Sequence, residues 1–143
     1  MTAYVAGPRC IRLAKVPAVD SLEIKAATVL VVDDDVLVNI GTVDMLQDMG
    51  LRALEAYSGK EALDVLAGND AVSILITDYS MPGMNGVELA SKALALRPDL
   101  RVVLATGYND LPGGEVSHLP RLSKPFQQAD LMSCLRQTMG VSA

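Results

Sequence analysis

Three aspartates in a row, Asp33-Asp34-Asp35, directly follow the aliphatic run Val29-Leu30-Val31-Val32. A further aspartate, Asp78, closes a second such run, Val72-Ser73-Ile74-Leu75-Ile76-Thr77, while Thr106 follows Arg101–Ala105 and Lys124 follows Arg121-Leu122-Ser123. Gathered in one place, these residues would offer carboxylates, a hydroxyl and an ammonium. Clustered carboxylates repel one another and call for a cation. Oxygen-only donors, with no Cys or His nearby in sequence, suit a hard ion, Mg²⁺ above all. An aspartate beside such an ion can attack a phosphoryl group and become an aspartyl-phosphate. Catalysis there is mostly positioning and charge neutralisation. Lys124 could then pair with the transferred phosphate, and the Thr106 hydroxyl could hydrogen-bond another of its oxygens.

Each piece alone has a plainer reading. An Asp run before a helix is commonly a solvated cap favoured by the helix dipole. Asp78 before a Pro/Gly-rich loop could simply open a turn. Thr106 could be an ordinary strand residue and Lys124 a surface charge. The functional reading gains its force from where the four stretches end. In an open parallel α/β sheet the carboxyl ends of the strands line one edge, and ligands bind in the crevice there.

The elements needed for such an edge are visible in the pattern. Val29–Val32 reads as a doubly buried parallel strand. Val36, Ile40, Val43, Leu46 and Met49 then recur at helical spacing up to Gly50, a C-terminal stop. A short second strand spans Leu51–Ala56. Ser58 with Glu61 forms a capping-box start for a helix over Gly59–Ala67. The third strand runs to Asp78, and after the loop Tyr79–Asn85 a helix carries Val87, Leu89, Ala90, Ala93, Leu94 and Leu96 up to Pro98. A fourth strand covers Arg101–Ala105, a weak fifth Arg121–Ser123, and a last amphipathic helix Gln127–Met139. Between them, residues 107–120 hold Pro112, Gly113, Gly114 and Pro120, leaving room for a turn or two of helix at most. Alternating strands and helices imply a parallel sheet covered on both faces. His118, in that irregular stretch, reads as a loop residue.

Composition agrees. The 143 residues are 50% hydrophobic but only 3% aromatic, an aliphatic core suited to helix-on-sheet packing, with room for one domain and a short tail. A net charge of -5 argues against direct nucleic-acid binding, which needs a basic footprint. Cys10 and Cys134 form no metal or redox motif. No signal-peptide h-region or membrane-length apolar run is present, so a soluble, cytoplasmic protein is expected. Residues 1–27, broken by Pro8 and Pro17, read as an N-terminal arm or linker.

From about Thr28 to Met139 the sequence resembles the receiver domain of bacterial two-component response regulators. The resemblance rests on Val-Leu-Val-Val-Asp-Asp-Asp at 29–35, Asp-Tyr-Ser-Met-Pro-Gly-Met-Asn-Gly at 78–86, Ala-Thr-Gly-Tyr at 105–108 and Ser-Lys-Pro-Phe at 123–126. It implies a flavodoxin-like, doubly wound five-stranded parallel sheet over residues 28–140, with the fourth helix short or absent. It places the phosphoacceptor at Asp78, the metal-binding acidic pair at Asp33 and Asp34, and a metal-binding backbone carbonyl at Ser80. Asp35 would face solvent or cap the helix. Thr106 falls at the switch hydroxyl and Lys124 at the phosphate-pairing lysine, with a cis bond at Lys124-Pro125. Gly107 would leave room for the phosphoryl group and Tyr108 would partly cover the site. The implied partner is a histidine kinase or a histidine phosphotransfer protein; no membrane is involved, and a homodimer is compatible.

Two departures stand out. The place three residues before the lysine, commonly aromatic, is Arg121, which puts Thr–aromatic coupling in question. The stretch from Thr106 to Lys124 resembles the Ala-Thr-Gly-Tyr receivers of hybrid histidine kinases and stand-alone modules, which implies an altered output through a fourth-helix face. Such a protein catalyses only its own phosphorylation and dephosphorylation. Two other classes compete. A metal-dependent phosphohydrolase with an Asp nucleophile normally wants a second Asp where Ser80 stands. A phosphorylation-independent interaction module would not need the intact residue set.

Overall fold

The five residues of β1 (Thr28–Val32) are all buried, which is possible only if the strand has neighbours on both edges and cover on both faces. It lies between β2 (Arg52–Ala56) and β3 (Val72–Asp78), and the sheet continues through β4 (Arg101–Thr106) to β5 (Arg121–Ser123), in the order β2-β1-β3-β4-β5. Every pairing is parallel. The computed structural model describes residues 27–107 and 119–139. The N-terminal arm up to residue 26, Tyr108, His118 and the stretch expected to hold a short or absent fourth helix lie outside the described residues.

Side chains alternate along the strands and feed two cores. Val29 and Val31, Ile74 and Ile76, and Val103 pack with Leu46 and Met49 from the α1 side and Leu131 and Leu135 of α4, α1 being Val36–Asp48 and α4 Gln128–Met139. Leu30, Val32, Leu75 and Val102 face the other way, against Ala62 and Leu66 of α2 (Gly59–Gly68) and Leu89, Ala90 and Ala93 of α3 (Gly86–Leu96). This is the doubly wound arrangement expected from the sequence. The first crossover leads to one side of β1 and the second to the other, so the chain reverses its winding between β1 and β3. That reversal opens a crevice at the strands' carboxyl ends.

Helix boundaries follow side-chain chemistry. The Asp35 carboxylate accepts from the Leu37 and Val38 amides and caps α1. Ser58 accepts from the Glu61 amide and the Glu61 carboxylate accepts from the Tyr57 amide, opening α2. Asn85 and Glu88 form a full capping box on α3. These bonds satisfy amides that the first helical turn leaves unpaired. Gly50, at φ 90°, reverses the chain after α1.

The face of α1 corrects the sequence reading. Val36 and Ile40 were expected in the buried stripe, but they are 52% and 43% exposed, beside Leu37 at 81%. The later members of the expected set do face the core, Leu46 and Met49 buried and Val43 packed against them, while in the earlier turns the buried residues are Asn39 and Thr42. The reason is positional: α1 starts at the sheet's carboxyl edge, so its first turns meet main-chain carbonyls at the strand ends instead of aliphatic side chains. An amide is suited to that surface and an isoleucine is not.

Candidate functional site

The register brings the expected residues to one edge. Val32 pairs with Thr77, Asp78 with Ala105, and Thr106 with Ser123, so Asp33, Asp78, Thr106 and Lys124 lie at or just past neighbouring strand ends. Asp33, Asp78 and Thr106 are buried and Asp34 is exposed. One carboxylate oxygen from each of Asp33, Asp34 and Asp78 lies within 4.8 Å of the others. Lys124 Nζ donates to Asp78 Oδ1 at 2.8 Å and to Asp33 Oδ2 at 3.0 Å. Its backbone amide donates to the Thr106 carbonyl at 2.8 Å, tying the end of β5 to β4. The peptide bond that follows, Lys124-Pro125, is cis as expected.

Charge explains why Lys124 sits there. Burial lowers the pKa of its ammonium, but hydrogen bonds to Asp78 and Asp33 and the attraction of their charges outweigh that, and the net shift is upward. The lysine therefore carries its proton and holds apart two carboxylates that would otherwise repel. Three carboxylates against one ammonium leave two negative charges in a small, oxygen-lined space. That donor set suits a hard divalent cation, Mg²⁺ among them; Asp33, Asp34 and Asp78 are the side chains that would hold it.

Asp78 is fixed from below. The Gly86 amide donates to the Tyr79 carbonyl at 2.8 Å and the Tyr79 amide to the Ala105 carbonyl at 3.0 Å. The start of α3 comes so close that a Cβ on Gly86 would stand 2.5 Å from the Asp78 carbonyl oxygen. Ser80 is exposed on the loop leaving β3, two residues past Asp78. The Thr106 hydroxyl makes no hydrogen bond to a described residue. Arg121 is exposed on β5, and Asp35 caps α1 while its amide donates to Asp33 Oδ1 at 2.9 Å.

One residue escaped the sequence reading. Asn39 is fully buried behind the acidic turn, with Nδ2 at 2.9 Å from the Ala56 carbonyl, 3.2 Å from that of Asp33 and 3.4 Å from that of Val31. The signal that could have found it is the alternative stripe Asn39, Thr42, Leu46, which puts an amide on the inner face.

Comparison with known proteins converges on one family. The model of the response regulator receiver domain matches residues 29–136. The receiver protein CpdR of Brucella abortus is 42% identical over 65 residues, covering 43% of this chain and 54% of that protein. Sensor kinase CckA of the same organism is 32% identical over 122 residues, covering 80% of this chain and 13% of that protein. The chain spans about half or less of the length of the curated relatives it matches. Among solved structures, a response regulator receiver domain protein from Clostridium thermocellum superposes with a TM-score of 0.74 at 25% identity, covering 80% of this chain and 94% of that one.

Proposed function

The chain belongs to the response regulator receiver family, the phosphoacceptor modules of two-component signalling, and we propose that Asp78 is the carboxylate that takes the phosphoryl group. The single observation carrying this assignment is Lys124, whose ammonium bridges Asp78 and Asp33 at 2.8 and 3.0 Å. Of the clustered acids, Asp78 alone ends the strand next to β1 across the crevice, with Lys124 and Thr106 beside it.

The donor is a phosphohistidine of a histidine kinase or histidine phosphotransfer protein. An Asp78 oxygen attacks phosphorus, the N–P bond breaks, and the electron pair stays on the imidazole, which takes up a proton. Lys124 then pairs with a phosphoryl oxygen, and the Thr106 hydroxyl donates to another. Asp33, Asp34, Asp78 and the Ser80 carbonyl would hold Mg²⁺, which when bound would neutralise phosphoryl charge. The protein turns over nothing beyond its own phosphoryl group and works in the cytoplasm without contacting nucleic acid.

Residues 28–140 form the receiver unit and 1–27 an arm or linker outside it. The Ala-Thr-Gly-Tyr sequence at 105–108 and the likeness to a sensor kinase over 80% of the chain support a receiver of the hybrid-kinase or stand-alone kind. Arg121 in the usual aromatic place argues for an output that does not rely on Thr–aromatic coupling. A phosphohydrolase is disfavoured because Ser80 occupies the place where a second aspartate would be needed. Incubation with acetyl phosphate and Mg²⁺ should add one phosphoryl group to the wild type and none to Asp78→Asn, read by intact mass. Equal labelling of both would refute the assignment.

A further inference from the structure

We propose that Asn39 is a positioning residue for the acidic pair: its buried carboxamide sets the backbone on which Asp33 and Asp34 stand, and with it the affinity of the cluster for a divalent cation. The inference rests on the reading of this cluster as a Mg²⁺ site.

The β1–β2 ladder ends at the pair Val32–Ala56, and the chain must then turn straight into α1. Beyond the ladder the Ala56 carbonyl is the last β2 group within reach. The Asp33 amide finds the Ala56 carbonyl at 3.2 Å, and Asn39 Nδ2 reaches the same carbonyl at 2.9 Å while meeting the Asp33 carbonyl at 3.2 Å. One carboxamide thus closes the turn between β1 and α1 and ties it to the end of β2. With Asp35 N on Oδ1 and Lys124 on Oδ2, every polar group of Asp33 is held.

Asp34 is the residue that depends on this clasp. Its carboxylate is exposed and makes no hydrogen bond or ion pair with a described residue, so the backbone of its neighbour is what places it among the other two acids. The other half of the amide points the same way. Asn39 Oδ1 is buried with no hydrogen-bond partner among the described residues, so the amide's bonds are all made through its donor half, to the carbonyls of Val31, Asp33 and Ala56. The donor half is what the site uses. Groups that orient ligands without touching the metal commonly change its affinity by about 10–100-fold.

The test is a calorimetric Mg²⁺ titration of the full chain, run well below the melting temperature of each variant. Asn39→Leu, close to isosteric and without donors, should weaken Mg²⁺ binding by about 10-fold or more. Should Asn39→Leu not fold, Asn39→Ala, which a helix favours, carries the same expectation. Leu66→Ala, in the core on the opposite face of the sheet, should lower the melting temperature yet leave the Mg²⁺ affinity at the wild-type value. Wild-type affinity in the Asn39 variants, or an equal loss in Leu66→Ala, would overturn the proposal. A wild type that itself fails to bind Mg²⁺ would overturn the reading of the cluster on which it stands.

Discussion

At the scale of single residues, Lys124 is the one whose chemistry is most sharply defined. Its raised pKa means that the folded state binds the proton more tightly than the unfolded chain. The stabilisation is therefore fully present below the ordinary lysine value of 10.5 and is lost as pH rises through the higher folded value. Urea midpoints of wild type and Lys124→Met, measured without Mg²⁺, should differ at pH 8 and converge at high pH. Added Mg²⁺ should narrow the difference at pH 8, because a cation among the carboxylates does part of the ammonium's work. Asp78 and Lys124 were both legible in sequence as strand-end residues. Asn39 was not, because the stripe it shares with Thr42 and Leu46 does not by itself tell an amide facing carbonyls from one facing water.

At the scale of elements, two contacts fix how α3 sits on the sheet, one beside the site and one at the far end. The start of α3 is pressed against β3 at Gly86, where a Cβ would also meet Leu104 Cδ1 at 2.7 Å. Gly86→Ala should destabilise the fold by about 1–3 kcal/mol, the usual scale of overpacking. It should also slow phosphorylation by acetyl phosphate, since the helix can relax only by pushing on the Asp78 backbone. The second contact is Arg97, just past α3, whose guanidinium donates to the carbonyls of Leu66, Asn69, Asp70 and Val72. It thereby stitches the end of α2, the following turn and the start of β3 to α3. Arg97→Ala should cost about 2 kcal/mol in chemical denaturation, on the scale of hydrogen bonds to a charged group. Phosphorylation at low temperature should stay near wild type, because this clamp lies at the amino end of β3, opposite the site. Helix starts such as Ser58 with Glu61 were readable because caps are local. The Arg97 clamp spans up to 31 positions and leaves no local trace. The first turns of α1 depart from the expected stripe, while Val43, Leu46 and Met49 keep to it, for a related reason: periodicity reports a stripe, but what each turn of it meets depends on what the helix packs against.

At the scale of the whole molecule, a separate core lies on each side of one sheet, which predicts a receiver unit that folds without the arm. Deleting residues 1–26 should leave the urea midpoint within the error of the measurement. A loss of several kcal/mol, the scale of a packed element, would make the arm part of the fold. No helix among the described residues is long and apolar enough to cross a membrane.

The amino-acid sequence alone marked which side chains could carry chemistry and which elements deliver them. Alternation, helical spacing and caps are short-range properties, and strands ending in Asp, Thr and Lys can be counted without coordinates. Strand order, the inward face of α1 and the meeting of Lys124 with Asp33 and Asp78 were decided only by tertiary structure. They depend on pairings between segments tens of residues apart, where competing arrangements satisfy the same local patterns and only the packed sheet selects one.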